Sequence, residues 1–228
     1  EVDIIVTYGA LSTFAAIDER IKTPILFVNV YEPMVATIRA KNVTGITVKT
    51  PISSLLRYLR GLTARSKLGV TYSTSEEESV YQLKEVMKLS GNFGFKVEEL
   101  DLKSLINAKK FPAQLSDKEI DAIFITSSSI AQSILPSIIE FARNNKIPTA
   151  SLVLDKASPS TITLCPAIED HGRLAAEKVL KIIDGTPPAN IKAESSNKME
   201  LIFNLKEAKA LNFGMPIELI TEATKLLN

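Results

Sequence analysis

The chain has 228 residues, 45% hydrophobic and 23% charged, with a net charge of +1 at pH 7, one His and one Cys. That is enough for one large domain or two smaller lobes with ordinary cores. The near-neutral charge and the scattered five Tyr and nine Phe argue against a nucleic-acid partner, the lone Cys165 excludes an internal disulfide, and no apolar run approaches the ~20 residues that span a bilayer.

In chain order, strand-like runs fall at 3–7, 24–30, 67–72, 96–102, 121–126, 148–153, 161–165 and 199–204. Several are continuous apolar runs without alternation, as expected where both faces of a sheet are covered. A helix is expected over 76–89, with Val80, Leu83, Val86 and Met87 on one face. Ser75 with Glu78 reads as a capping box at its start, and the acidic triplet 76–78 suits a helix N-terminus. A second helix is expected over 130–143, turning Ile130, Ile134, Ile138 and Phe141 inward. A third runs over 168–183, stopped by Gly185 and Pro187-Pro188. The last starts at Pro216 and carries Ile220, Ala223 and Leu227.

This βαβα order predicts an α/β fold with parallel sheets and right-handed crossovers. Three stretches interrupt it: 31–51, 154–160 and 186–193. They read as three crossings that join two α/β lobes by a hinge. Glu1-Val2-Asp3 leads straight into a strand, so no signal peptide is visible.

Three strands run into loops of small or hydroxyl residues: DIIVTYGALST (3–13), KLGVTYSTSEEE (67–78) and DAIFITSSSIAQS (121–133). In a parallel sheet such loops sit at the carboxyl ends of strands, where helix N–H groups and hydroxyls receive ligands. The pattern predicts a site for a small polar molecule.

The order VDIIVTYGALSTFAAI (2–17), TPILFVNVYEPMVA (23–36), NVTGITV (42–48), KLGVTYSTSEEESV (67–80), DAIFITSSSI (121–130), KIPTASLV (146–153), HGRLAAEKVLKIIDGTPPA (171–189) and FNLKEAKALNFGMPIELITEA (203–223) resembles ABC-transporter substrate-binding proteins of the type I periplasmic-binding fold. It is most similar to a subfamily with an Asn-Val-Thr-Gly hinge segment, some members of which bind aromatic amino acids. The resemblance implies two Rossmann-like lobes, residues 1–46 with 161–189 and residues 47–160 with 190–228. It implies capture of a small polar ligand such as an amino acid between the lobes, and an ABC permease as partner. The location would be periplasmic, or extracellular and membrane-anchored. No cofactor, metal or catalytic residue is implied. Relatives begin with two further strand–helix units, so the first lobe is expected to be incomplete, with an open sheet edge that favours a homodimer.

The ligand-binding residues expected from the first lobe are Tyr8, Gly9, Ala10, Ser12 and Thr13, with Tyr31 and Glu32 after the second strand. The second lobe would offer Tyr72, Ser73, Thr126, Ser127, Ser128 and Asp155, with Thr74 and Ser129 beside them. For the hydroxyls the competing reading is helix capping and turn formation; for Glu32 it is a surface ion pair. Four departures from the family stand out. Glu32-Pro33 replaces Asp-Pro, Ala10 replaces a Thr, and a Gly is replaced within 158–160. The loop 126–129 is Thr-Ser-Ser-Ser, without the Asp that suits a ligand ammonium.

Cys165 and His171 form no convincing nucleophile–base pair, because Cys165 lies in an apolar strand and His171 in the first turn of a helix. No Gly-x-Ser-x-Gly elbow and no phosphate-binding loop with Lys is present. An enzyme on this scaffold is thus disfavoured. A ligand-sensing domain of a signalling receptor and a non-binding assembly fragment remain alternatives, which flanking coding sequence and a ligand screen would separate.

Overall fold

The computed structural model describes residues 2–108, 111, 115, 119–155, 159–196 and 198–228. It divides into two units, Glu1–Thr50 with Pro166–Met199, and Pro51–Cys165 with Glu200–Asn228. The first unit opens with β1 (Ile5–Tyr8), α1 (Ala10–Asp18), β2 (Ile25–Tyr31), α2 (Glu32–Val35) and β3 (Val43–Val48). The second continues with α3 (Ile52–Leu62), β4 (Lys67–Tyr72), α4 (Glu77–Ser90), β5 (Lys96–Asp101), α5 (Leu105–Ala108) and β6 (Ala122–Ile125). Then come α6 (Ser129–Ser133), α7 (Leu135–Asn145), β7 (Thr149–Ser151) and β8 (Ile162–Pro166). The chain returns to the first unit for α8 (Ile168–Ile183) and β9 (Glu194–Ser196). It ends in the second with β10 (Met199–Asn204), α9 (Leu205–Ala210), α10 (Ile217–Glu222) and β11 (Lys225–Leu227).

The first unit holds a four-stranded sheet in the order β1-β2-β3-β9, parallel throughout. All six residues of β3 are buried. The segment Asn42-Val43-Thr44-Gly45, expected in a lobe crossing, therefore begins an interior strand instead. Asn42 Nδ2 donates to the carbonyls of Ile21 (3.0 Å) and Thr23 (2.8 Å), and Thr44 Oγ1 donates to the carbonyl of Ile191 (2.6 Å). Gly45 lies opposite Phe27. A Cβ at Gly45 would sit 2.1 Å from the Phe27 carbonyl oxygen, so only Gly permits this approach of β3 to β2. Pairing of β9 with β3 puts residues 194–196 in the first unit, whereas 190–228 was expected in the second. Of the expected crossing at 154–160, residues 156–158 lie outside the described residues.

The second unit holds a seven-stranded sheet, β11-β10-β8-β7-β6-β4-β5. Its pairs are parallel at β4–β5, β4–β6, β6–β7, β7–β8 and β10–β11. The β8–β10 pair departs from the all-parallel expectation. Asn204 N bonds Thr161 O and Ala167 N bonds Lys198 O, each at 3.0 Å, so the strands run in opposite directions. Between them the chain passes through α8 and β9 in the first unit, so no helical crossover over this sheet fixes their direction.

Helix packing follows apolar spacing. Ile52, Leu55, Leu56, Leu59 and Leu62 of α3 are buried, a helix-period stripe absent from the expected elements. In α4, Leu83 and Val86 are buried but Met87 is 48% exposed, on the rim of the expected face. The helix expected over 130–143 is two helices. Pro136 lies in the first turn of α7 and has no N–H to continue the ladder, so Ile134 leaves helical geometry (φ −113°, ψ 11°). Ile134 and Ile138 are still buried. Gly185 (φ 90°) stops α8 as expected. At the C-terminus, α10 ends at Glu222, Ala223 is extended, and Thr224 N bonds Leu201 O (2.8 Å). Leu227 therefore lies in β11 beside Asn204, not on a helix.

These contacts give glycine substitutions opposite signs. Gly45→Ala is expected to cost roughly 2–3 kcal/mol, the upper range for overpacking. Gly172→Ala, in α8 with nothing within 4 Å of the new methyl, is expected to gain about 0.5–1 kcal/mol from helix propensity. Denaturant melts of both variants check the pair.

Candidate functional site

In the first unit, β1 delivers Tyr8 and Gly9 to its carboxyl end. Gly9 adopts φ 82°, which frees α1 to start at Ala10 without a side-chain cap. Ser12 and Thr13 cap nothing: Ser12 Oγ donates to Tyr8 O (2.7 Å) and Thr13 Oγ1 to Gly9 O (2.7 Å). Thr13 also meets Thr7 Oγ1 at 2.8 Å and is fully buried, so it fastens α1 to β1. Ala10 is buried, and Tyr8 is 62% exposed. Tyr31 is buried at the end of β2, and the exposed Glu32 pairs with Lys49 at 3.4 Å. The ion-pair reading of Glu32 is the one the contacts support.

In the second unit, the loops after β4 and β6 meet. Ser73 is fully buried; its N–H donates to Ser79 Oγ (3.0 Å) and its Oγ lies 2.7 Å from Ser75 Oγ. Thr74 Oγ1 donates to Asp101 Oδ2 at 3.1 Å. Tyr72 donates its hydroxyl to Glu99 (3.1 Å), and burial pushes that hydroxyl's pKa up to about 12. Thr126 Oγ1 donates to Thr71 O (2.8 Å), and Ser128 Oγ caps α6 by accepting from Ala131 N (3.2 Å). Asp155 is half-buried beyond β7.

The expected capping box at α4 is absent, because both partners are engaged elsewhere. Glu76 is the residue before the helix, Ser75 Oγ donates to Lys103 O (3.2 Å), and Glu78 reaches across to the third loop. Ser127 Oγ donates to Glu78 Oε1 at 2.8 Å and accepts from Gln82 Nε2 at 2.7 Å, while Ser127 N donates to Gln82 Oε1 at 2.8 Å. Glu76, only 8% exposed, accepts from both the N–H and the hydroxyl of Ser129. The Thr-Ser-Ser-Ser loop thus carries two carboxylates, supplied from the start of α4. Burial, with the neighbouring Glu76 charge adding to it, raises the Glu78 pKa. Sequence reading missed Glu76, Glu78 and Gln82 as site residues, since their partners lie 45 to 53 residues away.

Cys165 and His171 hold no activated pair. Burial raises the Cys165 thiol to about 11. His171 is 2% exposed, its Nε2 has no hydrogen-bond partner, and burial lowers its pKa against the opposing pull of Asp170. Among the described residues, no three His, Cys, Asp or Glu could hold a metal, and no helix is long and apolar enough to cross a membrane.

Residues 1–227 match the family described as ABC transporter substrate binding protein. A tyrosine-binding protein of Clostridioides difficile (strain R20291) is 24% identical over 218 residues, 92% of this chain and 63% of the relative. The chain thus spans under two thirds of that relative's length. An ABC domain from Streptococcus pneumonia, solved in complex with L-Trp, has TM-score 0.87 and 20% identity over 99% of this chain and 79% of that one. A conserved domain protein from Vibrio cholerae has TM-score 0.88, with the same identity and coverage. These structures share the fold, that of type I periplasmic-binding proteins. The matched family consists of binding proteins, not enzymes.

The buried His171 sets an expected pH dependence. Its folded pKa lies below the ordinary 6.5, so the unfolded chain takes up the proton first. Its contribution is intact above about pH 6.5 and is lost as pH falls below that value. Melting temperatures between pH 7.5 and 5 should fall in the parent and fall less steeply in His171→Gln.

Proposed function

The chain belongs to the ABC transporter substrate-binding protein family, and from that premise we propose that it captures a small amino acid, aromatic ones first, outside the cytoplasm for an ABC permease. The observation that carries this reading is the family match over residues 1–227. The relative named for tyrosine and the neighbour solved with L-Trp support the ligand class. The chemistry agrees: buried hydroxyl, amide and carboxylate groups gather at the carboxyl ends of β4 and β6, where ligands of parallel sheets bind. On this reading the Tyr72 ring and Ser127, at the carboxyl ends of β4 and β6, are contacts of the ligand in the second unit. The sensor alternative uses the same capture with a different output.

A ligand that binds only the folded form stabilises it by about 2.7 kcal/mol at a hundredfold excess over Kd, which raises Tm by roughly several degrees. L-Tyr or L-Trp should give that shift in a thermal melt. Flat melts across amino acids, nucleosides and sugars would remove the reading.

We also propose that β1 pairs with a second copy. It is the edge of its sheet, and Val2, Val6, Tyr8 and Leu11 beside it are each about 60% exposed or more. An apolar parallel edge of this kind invites strand addition. Light scattering at micromolar concentration should give a dimer mass; a monomer mass would refute the pairing.

A further inference from the structure

We propose that Glu76 and Glu78 together form the ammonium-recognition subsite of the ligand site, the carboxylates coming from the N-cap and first turn of α4 onto the serine loop after β6. This rests on the proposed reading of these strand ends as the ligand site and names the ligand group they select.

The two carboxylates are two residues apart, and both reach the same loop, Glu76 to Ser129 and Glu78 to Ser127. A structural role needs less. Glu76 Oε1 alone satisfies the Ser129 N–H and hydroxyl, yet Oε2 of the same group is buried and has no hydrogen-bond partner. Leaving a buried carboxylate oxygen without a donor is costly. Placing a second buried carboxylate on the same loop costs more: burial raises the Glu78 pKa, and the Glu76 charge adds to it. Among the described residues, neither Glu76 nor Glu78 has an ion-pair partner, although Asp170, Glu207 and Glu222 all do.

The arrangement is thus a pair of acceptors with excess negative charge and no cation from the described chain. A primary ammonium supplies both missing elements, a positive charge and three N–H donors. A hard divalent ion is a poorer match, since it takes six or more oxygen ligands and no metal-sized cluster exists among the described residues. Gln82 completes the arrangement: it is 1% exposed and holds Ser127 through both the nitrogen and the oxygen of its side-chain amide, which fixes the loop against α4.

The test is calorimetric titration of the parent, Glu78→Gln and Glu76→Gln with three sets of probes. These are L-Tyr and L-Trp, their decarboxylated amines tyramine and tryptamine, and their deaminated acids. The expected result is that ammonium-bearing probes bind the parent and weaken roughly 10- to 100-fold in Glu78→Gln, the range for one hydrogen bond to a charged group. The deaminated acids should bind poorly to both. Among the described residues the Glu78 carboxylate accepts from side chains alone, Ser127 Oγ and Gln82 Nε2, so Glu78→Gln is the variant that remains readable where Glu76→Gln fails to fold. Amines that bind while amino acids do not would uphold the subsite and remove the amino-acid reading. Deaminated acids that bind as tightly as the amino acids, or unchanged affinity in Glu78→Gln, would overturn the subsite and leave the amino-acid reading standing. No binding by any probe would overturn both.

Discussion

The burial of whole strands constrains everything else in this molecule. All six residues of β3 and all four of β6 are buried, as is β4 after its first residue. Side chains along such strands are surrounded on both faces, so a polar group there has to bond at once or be excluded. Thr71 and Thr126 obey this, the second donating to the carbonyl of the first. Polar chemistry that faces outward is pushed to the carboxyl ends, where the ladder stops and helix N-termini begin. Hydroxyls collect there for that reason alone, and their presence is therefore weak evidence of binding. What separates a ligand group from a turn-former is whether its bonds are already made.

By that criterion the serine-rich loops are mostly structural. Ser73, Ser128 and Ser12 each spend their hydroxyls on neighbouring backbone or side-chain groups. The exception lies in a residue that carries no hydroxyl, Glu76, with a buried oxygen left unmatched.

The sequence disclosed elements whose causes are local. The apolar runs of β2, β4 and β6 are visible as runs, and α8 ends where Gly185 supplies its left-handed turn. It concealed elements whose causes lie elsewhere in the chain. Gly45 looks like a loop residue until Phe27, 18 positions earlier, is seen to occupy the space of its missing side chain. Leu227 fits a helical spacing from Pro216, but the bond from Thr224 to Leu201 turns the chain into a strand first. Two further features also have local causes: Pro136, which divides α6 from α7, and the Ile52–Leu62 stripe of α3.

The same division explains why the site was only half visible. Ser75 and Glu78 have capping-box spacing, and in an isolated helix the local bond would be available. Here Ser127, 49 residues on, competes for Glu78 and wins. The loop then recovers by contact the charge it lacks by sequence. Carrying that charge on α4 has a physical advantage. A fourteen-residue helix holds Glu78 in its first turn, where the helix N-terminus favours an ionised carboxylate against the desolvation that opposes it. The five-residue α6 beside the serines presents a much shorter run of aligned peptide dipoles. A carboxylate whose ionisation must survive burial is therefore better anchored on α4 than on the loop that it serves.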